Sequence, residues 1–319
     1  MRELLTFGRY LKRKFGEKVY KVPIALSGFT CPNIDGSVAR GGCTFCENES
    51  FNPVLNRVEK IKGFTLNLQS KSNPLLDRQL HELETQFLSL SKKVKERYGA
   101  EKFIVYFQAF TNTYAPLETL KVLYSKALSF DGVVGLSIGT RTDSITIETL
   151  QYLQELSKEY EIWVEYGIQS VFNSTLQKIN RGHSSENVEE WIRKTKEFGL
   201  NVCGHLIYGL PDEDSEMMQT TFQKAVEWGV DSLKIHPLYV VDKTALANSY
   251  RRGEFSPISE EEYISNLVTS LKNLPSNISI QRVTAGIEND TLLAPDWCYN
   301  KQESIKKIRK ALREEGIIY

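Results

Sequence analysis

Apolar positions along this chain follow two alternating periods. Between residues 100 and 285, short runs rich in Val, Ile, Phe and Tyr alternate with longer amphipathic stretches, the pattern of βα units and a parallel sheet. The spacing predicts strands over Val22–Leu26, Phe103–Gln108, Val133–Ile138, Ile162–Gln169, Val202–Tyr208, Ser232–Leu238 and Ile278–Arg282, with helices between them. The clearest helix covers 75–98, where Leu76, Leu80, Leu83, Phe87, Leu90 and Val94 recur at steps of four and three before Gly99 supplies a stop. No internal repeat or Gly/Ser/Pro-rich linker interrupts the series, so one continuous α/β domain is expected over 22–245. A C-terminal extension, 246–319, begins where Arg251, Arg252, Gly253, Glu254 and Pro257 break the alternation.

Within the strands the polar residues fall at period two. Trp163, Glu165, Gly167 and Gln169 share one face, as do Cys203, His205, Ile207 and Gly209, and as do Ser232, Lys234 and His236. The opposite faces, including Val164, Tyr166, Leu206, Tyr208, Leu233 and Ile235, are greasier. A packed barrel fills its interior with branched aliphatics, so this inversion suits an open barrel whose lumen holds a polar ligand; satisfied buried polar groups would give the same pattern.

Composition adds bounds. With 319 residues, 41% of them hydrophobic, the chain can bury a large core. No apolar run approaches membrane-spanning length and Met1-Arg2-Glu3 begins no signal sequence, so a cytoplasmic protein with no membrane partner is expected. The net charge of zero conceals a segregation: residues 1–21 carry +5, residues 301–313 carry another +5, and residues 22–300 carry −8. Lys12, Arg13 and Lys14 near one end, and Lys306, Lys307, Arg309 and Lys310 near the other, form either a rim that binds a polyanion by counterion release or two solvated helix faces.

Chemistry concentrates after the first strand. Cys31, Cys43 and Cys46 form a C-x11-C-x2-C run, with Gly36, Gly41 and Gly42 letting the backbone wrap closely. A closed structural zinc site needs a fourth ligand, and the nearest histidine in sequence is His81. Three thiolates can instead hold a [4Fe–4S] cluster with one iron open; zinc completed by a remote residue, or unligated cysteines, are the alternatives. Cys203, inside a strand, reads as a small buried hydrophobe or a catalytic thiol, and Cys298 as a core or a pocket thiol.

These residues resemble the radical S-adenosylmethionine (SAM) superfamily, and within it the subgroup related to the elongator catalytic subunit that contains the bacterial YhcC/YtqA-type proteins. The likeness rests on the cysteine block, Phe107-Gln108-Ala109-Phe110-Thr111-Asn112-Thr113-Tyr114, Ile138-Gly139-Thr140-Arg141, Glu165-Tyr166-Gly167-Ile168-Gln169-Ser170, Asn180-Arg181-Gly182-His183 and Leu206-Ile207-Tyr208-Gly209-Leu210-Pro211, in that order. It implies a partial (β/α)6 TIM-like barrel with short N- and C-terminal extensions, the latter completing the barrel. It also implies a [4Fe–4S] cluster on Cys31, Cys43 and Cys46 whose open iron chelates SAM, and reductive cleavage to a 5′-deoxyadenosyl radical fed by a flavodoxin or ferredoxin. By the same resemblance, Gln108, Thr111, Asn112, Thr113, Glu165, Gln169, Arg181 and Ile207 would surround SAM: Gln169 and Glu165 at the ribose, Arg181 at the methionine carboxylate, Ile207 under adenine. Thr111-Asn112-Thr113 departs from the family's Gly-Gly-Glu-like turn, and Ile34 replaces an arginine of its Cys-Pro-Asn-Arg-Asp-Gly loop. His205 and His236, with Glu165, are the candidate catalytic groups facing substrate. The subgroup and the basic ends together point to tRNA, at the side chain of a wobble uridine; a small metabolite, or a nonenzymatic iron–sulfur or zinc protein that binds RNA or senses redox state, are the rival readings.

Overall fold

A computed structural model describes residues 1–47, 64–286 and 290–319. Its centre is a seven-stranded parallel sheet whose strands follow one another in chain order: β1 (Val19–Ile24), β2 (Lys102–Phe107), β3 (Val133–Thr140), β4 (Glu161–Gln169), β5 (Asn201–Tyr208), β6 (Ser232–Pro237) and β7 (Ser279–Arg282). All seven expected strands are present. The sheet is the curled half-barrel expected, with its seventh strand supplied from the C-terminal extension. The outward residues Val22, Val105, Leu136, Val164, Tyr166, Leu206 and Leu233 pack with the helices into the main core. The greasier faces therefore do point outwards, and the polar faces enclose the lumen.

The first strand begins three residues before its expected start and ends at Ile24. Grouping Lys21 with the N-terminal charges obscured this, because Val19, Lys21 and Pro23 form one face of β1 and Lys21 projects into the barrel. Pro23 is tolerated because β1 is an edge strand, with β2 its one neighbour.

The predicted long helix, α2, covers Leu76–Tyr98 and ends on Gly99 in the left-handed conformation. Its buried polar side chains position the approach to the cysteine loop: Gln86 bonds both the N–H and the C=O of Ala25 (2.9 and 2.7 Å), and Gln79 donates to the Ser27 carbonyl at 2.6 Å.

Helix α1 (Phe7–Phe15) bridges β1 and β7, the two edges of the sheet. Its apolar face, with Phe7 and Leu11, fills the lower lumen against Val19, Ile104, Trp163 and Cys203. Phe7 meets Trp163 edge-on at 5.1 Å, and Tyr10 and Trp163 both donate to Glu161 (2.7 and 2.8 Å). The lumen is thus closed at the end where the strands start and open where they finish, the end that carries the functional loops of parallel α/β sheets. At the other end of the chain, α3 (Lys301–Glu314) packs outside the barrel against the helix Glu260–Lys272.

Candidate active site

The cysteine loop leaves the C-terminal end of β1 and is held by a turn 148 residues further along the chain. Asn33 donates its amide to the carbonyls of Asn180 (2.7 Å) and Arg181 (2.9 Å), and also lies 3.6 Å from Cys43 Sγ. Asn180 reciprocates, donating to the Arg40 and Gly42 carbonyls at 2.9 and 2.7 Å. A Cβ at Gly182, whose φ is +83°, would stand 2.6 Å from Asn33 Oδ1, so glycine is needed here on both grounds. The Asn180–His183 motif is therefore the clamp on the cysteine loop.

Cys31, Cys43 and Cys46 line one cavity of about 390 Å³ with Gln108, Phe110, Thr111, Glu165, Gly167, Gln169 and Arg181. Cys43 is buried, Cys31 half-buried, and Cys46 on the open side. Among the described residues, Glu165, Cys203 and His205 have donor atoms that all lie within 4.8 Å of one another, and the three loop sulfurs do not form such a trio. Tetrahedral zinc, with Zn–S bonds of about 2.3 Å, would hold its sulfurs about 3.8 Å apart. The loop suits a cluster whose thiolates attach to separate irons. The cavity also presents buried polar atoms without protein partners, Gln169 Oε1 and Arg181 Nε.

Gln169 lines this cavity on the face that alternation assigns it. The β4–β5 register shifts between Gly167 and Gln169, and Gln169 adopts φ +68°, so the strand ends there. Arg181 lies across Gly167, donating to its carbonyl at 2.9 Å and reaching Cys43 Sγ at 3.8 Å. Of Thr111, Asn112 and Thr113, Thr111 lines the cavity. Asn112 is occupied by the Phe107 and Gly139 carbonyls (3.0 and 2.9 Å), and Thr113 by Thr140 Oγ1 and the Ser144 carbonyl (2.6 and 2.5 Å). These two hold the turn.

Glu165 is fully buried and is the hub of a network. Its carboxylate accepts from Lys21, Lys234, Ser137 (2.5 Å) and His205 Nε2 (2.8 Å). Burial alone would raise its pKa; the Lys21 and Lys234 ammoniums and His205 overcome that and hold it well below the carboxylate range. Although Glu165, Cys203 and His205 are close enough to ligate one ion, two ammoniums already occupy the carboxylate, and burial pushes the Cys203 thiol up to about 12. Glu165 with its two ammoniums is thus an ion-paired group and not a metal ligand set.

A second cavity of about 270 Å³ adjoins the first through Cys46, Gln108, Gln169 and His205, and adds Ile207, His236, Tyr239 and Arg282. Ile207 lies here, with its other side against Leu176, Ile179, Leu210 and Leu238. Burial lowers both His205 and His236 to about 4, so both rings are neutral near pH 7. His236 stacks on Tyr239 and its Nδ1 donates to the Pro237 carbonyl at 3.0 Å, leaving Nε2 as an acceptor. A third cavity, about 620 Å³, opens sideways through the seam between β1 and β7 and shares Tyr106, Gln108 and Arg282 with the second.

The basic segments part company. Lys12 borders the seam, Arg13 is exposed beside it on α1, and Lys14 pairs with the buried Glu161. On α3, Lys306, Lys307 and Lys310 pair with Glu303, Glu260 and Glu314, and Arg309 lies over Tyr319. The sequence reading singled out neither Lys21 nor Asn33, Tyr106, Phe110 or Gln281. For Lys21 a signal existed, since the period-two rule applied to β1 places it inside; the others depend on contacts across the barrel.

A half-barrel with three loop cysteines over a polar lumen defines the class. Residues 36–225 match the radical SAM superfamily and 230–314 its C-terminal domain, and the chain belongs to this family. It uses a [4Fe–4S] cluster and SAM. The chain is similar to YtqA of Bacillus subtilis (34% identical, 98% of this chain, 90% of that protein) and YhcC of Escherichia coli (33%, 98% and 93%). It is also similar to the tRNA uridine(34) acetyltransferase of Methanocaldococcus infernus, at 31% identity over 48% of this chain and 29% of that one. Among solved structures, the N-terminally truncated Elp3 of Methanocaldococcus infernus superposes with a TM-score of 0.57 at 20% identity, covering 93% of this chain and 64% of that one. No helix among the described residues is long and apolar enough to cross a membrane.

Proposed function

We propose that this radical SAM enzyme modifies tRNA at the side chain of a wobble uridine. Cys31, Cys43 and Cys46 would hold a [4Fe–4S] cluster, whose chemistry when bound and reduced by a flavodoxin or ferredoxin is the one-electron cleavage of the SAM sulfonium C–S bond to methionine and a 5′-deoxyadenosyl radical. Arg181 would pair with the methionine carboxylate through its planar fork, and Gln169 would offer its free Oε1 to the ribose hydroxyls. Thr111 and Gln108 border the same space, Asn112 and Thr113 keep Thr111 in place, and Ile207 would pack near adenine. Glu165 would act through Lys21, Lys234 and His205, while His205 and His236, both neutral, would accept protons or hydrogen bonds from substrate.

The observation that carries the tRNA reading is the side opening. Its described lining includes Arg9, Lys12, Lys18, Lys21, Lys234 and Arg282 and no acidic residue, so a phosphate backbone could dock there while one base enters the lumen. Similarity to a tRNA uridine(34) acetyltransferase supports the same substrate. Anaerobically reconstituted protein with dithionite and SAM should form 5′-deoxyadenosine, and tRNA from cells lacking the protein should lack a modified nucleoside present in wild type. Unchanged nucleosides would favour a second reading, a small-metabolite substrate, which the second cavity of about 270 Å³ suits in size.

A further inference from the structure

Among the described residues, the charge immediately around Glu165 does not balance. The described residues lining the three connected cavities include a single carboxylate, Glu165. Two ammoniums, the half-buried Lys21 and the buried Lys234, contact it, and a third cation, Arg282, stands beside them. Both nearby histidines are neutral near pH 7 and Cys203 remains protonated. One negative charge thus faces three positive ones in a region largely removed from water, where an uncompensated charge is costly.

The backbone is adjusted to place these cations together. In the β6–β7 pairing Leu233 lies opposite Ile280 and Lys234 opposite Arg282, so Gln281 is the extra residue of a bulge. Strict alternation from Ser279 would turn Arg282 outwards; the bulge brings it onto the face of Lys234. Gln281 in turn accepts a hydrogen bond from Lys21 at 2.6 Å across the seam, while its own Nε2 is buried with no partner. Lys234 also donates to Tyr106 at 3.0 Å, so its position is fixed. The cluster lies where the side opening meets the second cavity, on the route from solvent to the cysteine loop.

We infer that Lys21, Lys234, Arg282 and the Gln281 amide form a binding site for an anionic oxygen group, a carboxylate or a phosphate, carried by the substrate. Arg282 supplies a planar fork, Lys21 and Lys234 supply fixed charge, and Gln281 Nε2 gains the acceptor it lacks. This rests on the reading that substrate enters the lumen, and it specifies substrate chemistry: an anionic group held below the radical-forming site.

The test uses the anaerobically reconstituted full chain without SAM, titrated calorimetrically with inorganic phosphate and with acetate at constant ionic strength, chloride being the reference. Wild type should bind one of the two anions over chloride, and Arg282→Gln and Gln281→Leu should each weaken it, Arg282→Gln by at least about tenfold. A response to phosphate places the group on a nucleotide backbone or a phosphorylated metabolite; a response to acetate places it on a carboxylic acid. No preference over chloride, or equal binding by a folded Arg282→Gln protein, overturns the inference. Formation of 5′-deoxyadenosine by wild type is scored separately. SAM cleavage without anion binding removes this site and keeps the enzyme class, and anion binding without SAM cleavage does the reverse.

Discussion

Replacing Gly167 by alanine separates the cofactor cavity from the fold that carries it. An added Cβ would stand 2.5 Å from Arg181 Nη2 and 2.6 Å from Gln169 Nε2, whereas ordinary contact begins at 3.4 Å. Both atoms are tips of flexible side chains, so the backbone stays and the tips retreat by roughly 1 Å. That movement breaks the 2.9 Å bond from Arg181 to the Gly167 carbonyl and displaces a guanidinium that has a free Nε. A hydrogen bond to a charged group contributes about 1.5–3 kcal/mol, or roughly 10- to 150-fold in affinity. Gly167→Ala should therefore keep wild-type iron and sulfide content after reconstitution, melt roughly 2–5 °C below wild type for the lost Arg181 bond, and bind SAM about 10- to 100-fold more weakly by equilibrium dialysis. SAM affinity within twofold of wild type, with the cluster intact, would refute the assignment of Arg181 and Gln169. A large drop in melting temperature would show instead that the strand takes up the strain.

Removing any one of the Cys31, Cys43 or Cys46 thiols should abolish stoichiometric iron and the cluster's visible absorption, whereas Cys203→Ala, in the apolar floor, should retain iron and lose roughly 1 kcal/mol in denaturant titration. Glu165→Gln leaves Lys21 and Lys234 without their counter-charge, and a loss of about 3–5 kcal/mol should lower the melting temperature by roughly 4–8 °C. Because the folded pKa of Glu165 is depressed, its contribution is fully present above about pH 4.5 and is lost as pH falls towards the folded value; a wild-type melting curve with no acid limb absent from Glu165→Gln would contradict this. Burial, with Lys234 adding to it and Glu165 opposing it, lowers Lys21 to about 8, so anion binding should weaken above pH 8. Through the same group stability should rise between pH 8 and 10.5, where the unfolded chain holds the proton that the folded one has released. Neutralising Lys12 and Arg13 should reduce tRNA affinity and flatten its salt dependence, while neutralising Lys306, Lys307, Arg309 and Lys310, already partnered on α3, should change both little in a filter-binding assay.

The strand positions and the inversion of polar and apolar faces were legible because both follow from local periodicity. Val164, Tyr166 and Leu206 announce an outer face, and Glu165, His205 and Lys234 an inner one, whatever the rest of the chain does. The cysteine spacing was legible for a similar reason, since it fits within one loop. What could not be read locally is who meets whom. Asn112 and Thr113 look like cofactor ligands in a linear motif, yet they spend their polar atoms on Gly139, Thr140 and Ser144 in the next strand-loop unit. Glu165 looks like a free acid until Lys21, 144 residues earlier, arrives beside it. Arg282 reaches the lumen through a bulge, which alternation does not foresee.

The clamp between Asn33 and the turn at Asn180 and Arg181 has a bearing on biogenesis. Asn33 emerges from the ribosome 148 residues before Arg181, an interval of about 7–30 s at ordinary rates of translation. Throughout it the three thiols lack the scaffold that spaces them, so a nascent or truncated chain is exposed to oxidation and to stray metal. Iron delivery is then best timed after the turn that follows the fourth strand has been made, and overproduction under limiting iron should accumulate disulfide-linked or zinc-loaded material even though every cysteine is in place.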